Sequence, residues 1–452
     1  MLRLLSIAGS DSGGGAGIQQ DLRVFTALGA YGATVITSVT SQNTQGVFNR
    51  YDLPGEHILS QLRVVLEDIR PHGIKIGMLG ANAPIKDMAE LISKWRQEQE
   101  GAILVIDPIF SAKDGTDLCS SEVFLAAKEM LFPLADVVCP NFHELEILFN
   151  RKFSNLDEII RVAPDILEEF CAKYVIVKGG HIPGAVSSDI VISTDKVDVL
   201  RSTEIKSRGT HGTGCVYSSA LLFYLFKYIA DIKEAALSAK RFVELGLRCF
   251  EEIGKGTFPL NSLAYLRNKV ERFDVLVELE EAWQVLSSKK CASLVPEVQM
   301  NICYALPCAQ IPEDCAAFPG RLVRYKEGIA RISGPWFGAS SHMARTVLTA
   351  MKYNPKKRCA MNIKLNVEFI ERAEEFGYKI GSFSRKDEPE HIKQKEGSTI
   401  SWGVSKVIEE MKLVPDIIYD VGDFGKEPMI RIIGDRPLDV VKKALRIGGI
   451  TE

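Results

Sequence analysis

Between residues 1 and 255 the sequence alternates short apolar runs with longer amphipathic segments. Near-continuous apolar strands interleaved with helices predict a mainly parallel sheet, because such strands must be covered on both faces. Ligands of these sheets bind outside the carboxyl ends of the strands, so the polar residues that follow each strand are functional candidates. The apolar runs occupy residues 4–8, 33–40, 74–79, 103–108, 136–141 and 174–180.

A second α/β pattern begins near residue 291, after a segment with helical periodicity and charged faces. The chain has 452 residues, which is too long for one core of ordinary size. The sequence therefore predicts a first domain at 1–255, a helical linker at 256–290 and a second, smaller α/β domain at 291–452.

Composition argues against several classes of partner. The formal net charge is -3 and the charges are interspersed, with no long basic tract, so nucleic acid is not an expected partner. The sequence contains no apolar stretch of membrane-spanning length, and the first apolar run is too short for a signal peptide. We therefore expect a cytoplasmic protein that acts on small molecules and has no membrane partner.

The ten cysteines contain no C-x-x-C pair. In a reducing compartment most of them are expected to be buried free thiols. Cys291, Cys303, Cys308 and Cys315 lie closest together, but their spacings of 12, 5 and 7 match no usual zinc pattern. A zinc site is therefore not expected.

The stretch GTHGTGC at residues 209–215 precedes a run of small and apolar residues. A glycine-rich turn before a helix exposes backbone N–H groups that bind anions, and Gly212 and Gly214 allow a phosphate oxygen to approach closely. Cys215 at the helix start is expected to have a lowered thiol pKa and to take a proton from a substrate hydroxyl. The alternative is a small buried residue with no chemical role.

Another glycine run, GSDSGGGAG, follows the first strand. It fits the dinucleotide fingerprint poorly, since the third glycine position falls on Ile18, and the chain has no Walker A sequence. The run, which begins at Gly9, instead predicts a loop closed over a small substrate, with Asp21 in the first turn of the next helix as a binding residue. Alternatively, Asp21 is only a favourable first-turn carboxylate.

Three motifs together point to a family. GSDSGGGAGIQQDL, PNFHELEIL and GTHGTGC resemble, in this order, the hydroxymethylpyrimidine and phosphomethylpyrimidine kinases of thiamine biosynthesis, which have the ribokinase-like fold. Most sugar kinases of that superfamily have aspartate at the position of Cys215. The resemblance implies phosphorylation of hydroxymethylpyrimidine and its monophosphate by ATP with Mg²⁺, in a protein that is commonly a homo-oligomer.

The resemblance also assigns roles to residues that bind the substrate ring. It implies that Gln42 reads the aminopyrimidine edge, because its amide both donates and accepts hydrogen bonds. Ser41 replaces the alanine that usually precedes this glutamine. Met78 is implied to line the ring pocket, although it could equally be a core residue.

Four further positions are implied to handle magnesium or to lie near the phosphates. Asn141 and Glu144, three apart at a helix start, correspond to a P-N-x-x-E pattern that handles magnesium mainly through water. Asp107 and Lys178 follow strands, and Lys178 would supply a positive charge. Without the family, Asn141 would be only a helix cap.

Residues from about 291 to 452 resemble the archaeal-type thiamine phosphate synthase domain. The stretches that carry this resemblance are PEVQMNICYALP, FPGRL, GPWFGASSHMAR, AMNI and YDVGDFGKEPMIRI. The implied reaction joins hydroxymethylpyrimidine diphosphate to a thiazole phosphate and releases pyrophosphate. The kinase would thus produce the substrate of the synthase.

Such a synthase needs donors for a diphosphate and a monophosphate. GASSHMAR predicts a helix start that binds anions, and PGRL and GKEP place cationic side chains beside glycines. The candidate residues are Arg321, Ser340, Ser341, His342 and Lys426.

Two other functions stay open from the sequence alone. The second domain could instead sense thiamine phosphate and regulate the kinase. The first domain could be a pyridoxal kinase, although Cys215 and Gln42 argue against this.

Overall fold

The computed structural model describes residues 1–109, 119–179, 187–202, 205, 207–229, 231–389, 398–423 and 425–450. The chain divides into two compact units, Met1–Leu266 and Arg267–Glu452. Within the described ranges, none of the helices combines the length and the apolar character needed to cross a membrane. Gly180, at the end of the sixth predicted strand, lies outside these ranges.

The first unit is built on one large sheet. Its described strands are β1 (Arg3–Asp11), β2 (Tyr31–Asn43), β3 (Gly46–Asp52), β4 (Gly73–Ile76), β5 (Ile103–Ile106), β6 (Val137–Val138), β7 (Tyr174–Val177), β8 (Ser188–Ile192) and β9 (Val197–Arg201). They lie in the order β3-β2-β1-β4-β5-β6-β7-β8-β9. The six strands predicted from the apolar runs all form and pair in parallel. β3, β8 and β9, which were not predicted, pair antiparallel at the two edges.

Helices cover both faces of this sheet, as predicted. Leu104 and Ile106 of β5 pack into one core and Val105 between them packs into the other. Side chains of a strand alternate between the two faces, so this division shows that both faces are buried. The described helices are α1 (Gly17–Leu28), α2 (Gly55–Val64), α3 (Ile85–Glu98), α4 (Ser121–Met130), α5 (Phe142–Leu148), α6 (Leu156–Arg161), α7 (Ala163–Phe170), α8 (Thr213–Lys227) and α9 (Ile232–Arg248).

The helix α10 (Ala264–Ser287) occupies most of the segment that was predicted to be a linker. Val275, Leu279, Ala282 and Leu286 on this helix are completely buried in the core of the second unit. Instead of serving as a linker, α10 is part of that core. Its charged faces concealed an apolar face that recurs every three or four residues.

The second unit has a smaller and mainly antiparallel sheet. Its strands are β10 (Ile302–Ala305), β11 (Cys315–Ala317), β14 (Trp336–Phe337), β15 (Cys359–Lys364), β16 (Ile380–Phe383), β17 (Ile417–Asp420) and β18 (Met429–Gly434), and β12 (Leu322–Tyr325) pairs separately with β13 (Gly328–Arg331). The sheet order is β14-β11-β10-β15-β18-β17-β16, with β16 and β17 parallel. The remaining described helices are α11 (Ser341–Tyr353), α12 (Val367–Glu375), α13 (Ser398–Met411) and α14 (Pro437–Ile447).

Candidate active sites

The first unit contains a cavity of about 340 Å³ at the carboxyl ends of β1 and β2. Four residues that were singled out in the sequence line it: Gly9, Gln42, Met78 and Cys215. A Cβ on Gly9 would lie 3.1 Å from the Met78 sulfur. The lack of a side chain at Gly9 therefore leaves room for Met78 in the cavity wall. These residues are 206 positions apart at the extremes of the sequence, and the parallel sheet brings them to one edge.

Asp11 organises the glycine run beside this cavity. Its carboxylate accepts hydrogen bonds from the backbone amides of Gly13 (2.8 Å), Gly15 (3.0 Å) and Ala16 (2.8 Å). Burial alone would raise the pKa of Asp11, but His211 and these amides hold it below its usual value. The loop is therefore fixed around a charged carboxylate.

His211 connects this loop to the residue that was predicted to read the substrate. Its Nε2 atom lies 3.1 Å from Oδ2 of Asp11 and 3.2 Å from Nε2 of Gln42. The hydroxyl of Thr40 donates to Oε1 of Gln42 at 3.2 Å. Because Nε2 carries a proton when it donates to Asp11, it cannot accept from the Gln42 amide at the same time, so the hydrogen bond from Thr40 orients this amide and His211 lies beside it. Sequence reasoning missed His211, although the glycines on both sides of it in GTHGTGC were a signal.

The turn before α8 has the predicted form of a glycine-capped helix start. Gly212 caps the helix with φ 82°, a left-handed conformation that favours glycine. A Cβ placed on Gly214 would lie 3.4 Å from Nζ of Lys178 and 3.6 Å from Oδ2 of Asp107. The ammonium and carboxylate that follow β7 and β5 therefore lie at the amino end of α8.

Cys215 occupies the first turn of α8 and is 7% exposed. Burial raises the pKa of its thiol to about 11, Lys75 acts to lower it, and Asp21 and Asp107 act to raise it further. The predicted lowering of this pKa is therefore wrong. Loss of water around the thiol outweighs the favourable field at a helix start.

The prediction that Asp21 lies in the first turn of a helix and binds substrate is also wrong. It is completely buried, and it is the fifth residue of α1, whose first turn contains no acidic residue. Its Oδ2 accepts a hydrogen bond from Nζ of Lys75 at 2.8 Å, and it is absent from the walls of the cavity. A buried ion pair explains this carboxylate better than contact with substrate.

Asn141 and Glu144 form a capping box at the start of α5. The Glu144 amide donates to Asn141 Oδ1 at 2.8 Å, and the Asn141 amide donates to Glu144 Oε2 at 2.7 Å. Burial raises the pKa of Glu144 to about 7; Lys178 acts to lower it and Asp107 to raise it. Lys178 forms an ion pair with Asp107. Two carboxylates therefore share one lysine.

The second unit contains a cavity of about 230 Å³. Of the residues predicted for the synthase site, Arg321, Ser340, His342 and Lys426 line it. Ser341 is exposed and is not part of the lining. Ser340 caps α11 by accepting from the Met343 amide at 3.4 Å. Residues that were not predicted complete the wall, among them Asn301, Asn362, Arg385 and Glu427.

A buried cluster of two arginines and one carboxylate supports this wall. Asp420 accepts from Nε of Arg385 at 2.7 Å and from Nη1 of Arg431 at 2.7 Å. Arg431 is completely buried, and two of its nitrogens, Nε and Nη2, have no hydrogen-bond partner among the described residues. The cluster therefore carries an excess of positive charge.

His342 lies within this positive field. Burial, together with Arg431, Arg385 and Arg321, lowers its pKa to about 4. Its buried Nε2 atom has no partner within the described part of the chain. The imidazole is therefore neutral near pH 7 and keeps a free nitrogen for a hydrogen bond.

Comparison with known proteins matches each of the two units to a family. The family model for phosphomethylpyrimidine kinase matches residues 11–261, and the model for the thiamine-phosphate synthase ThiN matches residues 278–446. The bifunctional thiamine biosynthesis protein ThiDN of Methanocaldococcus jannaschii is 33% identical over 97% of each chain. A hydroxymethylpyrimidine/phosphomethylpyrimidine kinase of Staphylococcus aureus is 35% identical over 59% of this chain and 95% of its own.

A solved structure agrees with the fold of the first unit. The pyridoxal kinase of Staphylococcus aureus, in complex with AMP-PCP and pyridoxal, has a TM-score of 0.51 and 28% identity, covering 59% of this chain and 95% of its own. The ribokinase-like interpretation is thereby confirmed. The chain belongs to the family of bifunctional thiamine biosynthesis enzymes, in which a phosphomethylpyrimidine kinase that uses ATP is fused to a thiamine-phosphate synthase.

Proposed function

We propose that the first unit phosphorylates hydroxymethylpyrimidine and then its monophosphate in the cavity beside α8. The observation that carries this proposal is the presence of Gln42 and Cys215 in one cavity at the amino end of that helix. The amide of Gln42, held by the hydroxyl of Thr40, matches the donors and acceptors of an aminopyrimidine edge. Met78 and Gly9 shape the apolar part that receives the ring.

The transferred phosphoryl group is stabilised at the start of α8. The backbone amides of Gly212 and Gly214 and the ammonium of Lys178 face the charge that develops on its oxygens. The substrate oxygen forms a bond to phosphorus as the bond to the ADP oxygen breaks, and the hydroxyl proton passes to the sulfur of Cys215. Because burial raises the pKa of this thiol, only a small thiolate fraction is available at neutral pH.

Magnesium fits the residues around Glu144. The carboxylates of Glu144 and Asp107 share a single lysine, and the raised pKa of Glu144 indicates that another cation would be favourable there. The resemblance at Asn141 and Glu144 implies that the protein contacts the ion mainly through water. Asn141 and Glu144 would hold the ion, which neutralises phosphate charge when bound.

A direct comparison of substrates tests the kinase proposal. The rate of ATP-dependent phosphorylation is measured with hydroxymethylpyrimidine and with pyridoxal, which the solved relative binds. We expect hydroxymethylpyrimidine to be the better substrate by kcat/KM. A preference for pyridoxal would contradict our assignment of Gln42.

We propose that the second unit joins hydroxymethylpyrimidine diphosphate to a thiazole phosphate. Arg321, Arg385 and Lys426 supply positive charge to the departing pyrophosphate, and the start of α11 supplies backbone amides. Neutral His342 donates or accepts one hydrogen bond without adding charge. The carbon–nitrogen bond to the thiazole forms as the carbon–oxygen bond to pyrophosphate breaks.

Release of pyrophosphate from the two phosphorylated substrates tests this assignment. We expect Arg321→Ala or His342→Ala to lower thiamine phosphate formation by about tenfold or more, as for one lost electrostatic donor, while kinase activity persists. Parent rates in both folded variants would contradict the site. A parent chain that binds thiamine phosphate but never forms it would support the regulatory alternative.

A further inference from the structure

A fully buried ion pair between Lys75 and Asp21 lies next to the kinase cavity and has no role in the function described above. Both side chains have 0% exposure, and Nζ of Lys75 lies 2.8 Å from Oδ2 of Asp21. Lys75 is on β4, three residues before Met78 in the cavity wall. A Cβ on Gly77 would lie 2.8 Å from this Nζ, so the ammonium sits at the carboxyl end of the strand.

The ion pair is bonded to the helix that carries Cys215. Ser219, one turn further along α8, donates to Oδ1 of Asp21 at 2.7 Å. Ser6 of β1 donates to Oδ2 at 2.6 Å. Both oxygens of the carboxylate are therefore occupied, and the pair ties α8 to α1, β1 and β4. A shift of α8 would break hydrogen bonds to a buried carboxylate, so this network opposes such a shift.

The charges of this ion pair also influence the ionisation of the Cys215 thiol. Burial alone would lower the pKa of Lys75, but Asp21, Cys215 and Asp107 raise it above its usual value, so the ammonium stays charged. Its positive charge favours the thiolate of Cys215, whereas the charges of Asp21 and Asp107 oppose it. The buried thiol of Cys139, after β6, also lies in the field of Lys75.

We propose that Lys75 is a positioning residue of the kinase, which supplies the positive charge against which Cys215 accepts the substrate proton, while Asp21 fixes it in place. This inference rests on the proposed role of Cys215. The proton leaves the substrate hydroxyl and ends on the thiolate, which becomes a neutral thiol. Lys75 keeps its own proton throughout.

The test uses the full chain and two independent readouts. The first is the pH dependence of iodoacetamide alkylation of Cys215, followed by mass spectrometry of its peptide, and the second is kcat and KM for the pyrimidine. We expect Lys75→Met to shift the alkylation profile to higher pH and to lower kcat by about tenfold or more, with KM little changed. Asp21→Asn should shift the profile to lower pH, because an opposing negative charge is removed.

A matched control separates this role from simple stability. Lys240 forms a buried ion pair with Asp189, with Nζ 2.9 Å from Oδ2 and side chains that are 7% and 6% exposed, and it is not among the charges that act on Cys215. Lys240→Met should leave the alkylation profile of Cys215 unchanged. If Lys75→Met does not fold, the alkylation profile of the double variant Lys75→Met/Asp21→Asn is compared with that of Asp21→Asn. The difference between these two profiles then shows the effect of removing the Lys75 charge.

Each outcome bears on the proposal. Opposite shifts in the two single variants support it, and unchanged or parallel shifts overturn it. A parent chain with no pyrimidine kinase activity would refute the proposed function, whereas the alkylation profiles would still show whether Lys75 controls the thiol.

Discussion

A Cβ atom on Gly212 would lie 1.8 Å from the carbonyl oxygen of Gly15. The turn before α8 and the glycine run after β1 therefore contact each other backbone to backbone. Ala16 and His211, the neighbours of these glycines, line the kinase cavity, so the contact lies beside the cavity and places the start of α8 next to the loop held by Asp11. Gly15 and Gly212 therefore let the two loops approach closely: a Cβ on Gly15 would lie 2.2 Å from the ring of His211.

Gly212→Ala should prevent the close backbone contact between the turn before α8 and the loop that contains Gly15. The expected result is a loss of kinase activity on the order of a hundredfold, because a displacement of about 1 Å at the reacting groups has that effect. The measurement is phosphorylation of hydroxymethylpyrimidine by the purified variant, with thiamine phosphate synthesis as an internal check on the second unit.

Gly29→Ala is the matched control for Gly212→Ala. Gly29 also has a positive φ, of 89°, but no atom lies within 4 Å of a Cβ placed there. It should cost about 1 kcal/mol of stability and leave turnover intact. Equal activity losses in the two variants would show that backbone strain, and not the contact with Gly15, is responsible.

Cys215→Ala should lower pyrimidine phosphorylation by roughly two to four powers of ten, the usual range for a lost general base. Because the thiol pKa is about 11 and only the thiolate accepts a proton, the parent kcat should also rise with pH between about 7 and 9. The variant should lose this pH dependence.

Two results would argue against a role for the thiol. Parent turnover in folded Cys215→Ala would remove the thiol from the mechanism, and an identical pH profile would exclude it as the titrating group. Cys291→Ala, which removes a buried free thiol from the second unit, is the control and should leave kinase activity unchanged.

A chain truncated after Leu266 should fold and retain kinase activity, whereas one that ends at residue 256 should not. The backbone amide of His211 donates to the carbonyl of Phe258 at 3.0 Å, and the carbonyl of His211 accepts from the amide of Leu260 at 3.0 Å. Removal of this segment would release His211, whose ring lies against Asp11 and Gln42 in the kinase site. Solubility, circular dichroism and kinase assays of both fragments check this, and an active shorter fragment would contradict it.

The sequence predicted the central strands of the first unit because they are buried on both faces and therefore read as apolar runs. It did not predict β3, whose residues are all partly or fully exposed, since an edge strand has no such signature. The end of the first domain was also placed too early. Phe258 and Leu260 are buried in its core, but nothing in their local pattern connects them to His211.

Residues in short motifs could be singled out from the sequence, whereas residues that meet through long-range contacts could not. The sequence singled out Gln42, Met78 and Cys215, which line one cavity, because each stands in a short recognisable stretch, and their roles stay predictions. Arg385 and Arg431 were missed because they meet only through Asp420, in a sheet whose order does not follow the sequence. An arginine within the apolar stretch PMIRIIGD was the available signal, since a buried guanidinium requires a partner.

The lowered pKa of His342 should make the second unit sensitive to mild acid. At pH 7 the imidazole is neutral in the folded and unfolded chains. As the pH falls from about 6.5 toward 4, the unfolded chain binds a proton and the folded chain, with its pKa of about 4, does not, so stability is lost across this window. Between pH 7 and 5 the expected loss is about 2 kcal/mol.

His342→Gln should remove this part of the pH dependence, because an amide does not titrate. The measurement is hydrogen exchange of the α11 amides in the full chain at pH 7 and pH 5, corrected for intrinsic exchange rates. His57→Gln, which replaces a histidine whose side chain is 64% exposed, should keep the parent difference between the two pH values. If His342→Gln keeps it as well, the imidazole is not the group that titrates, and the arginines around it do not hold it neutral.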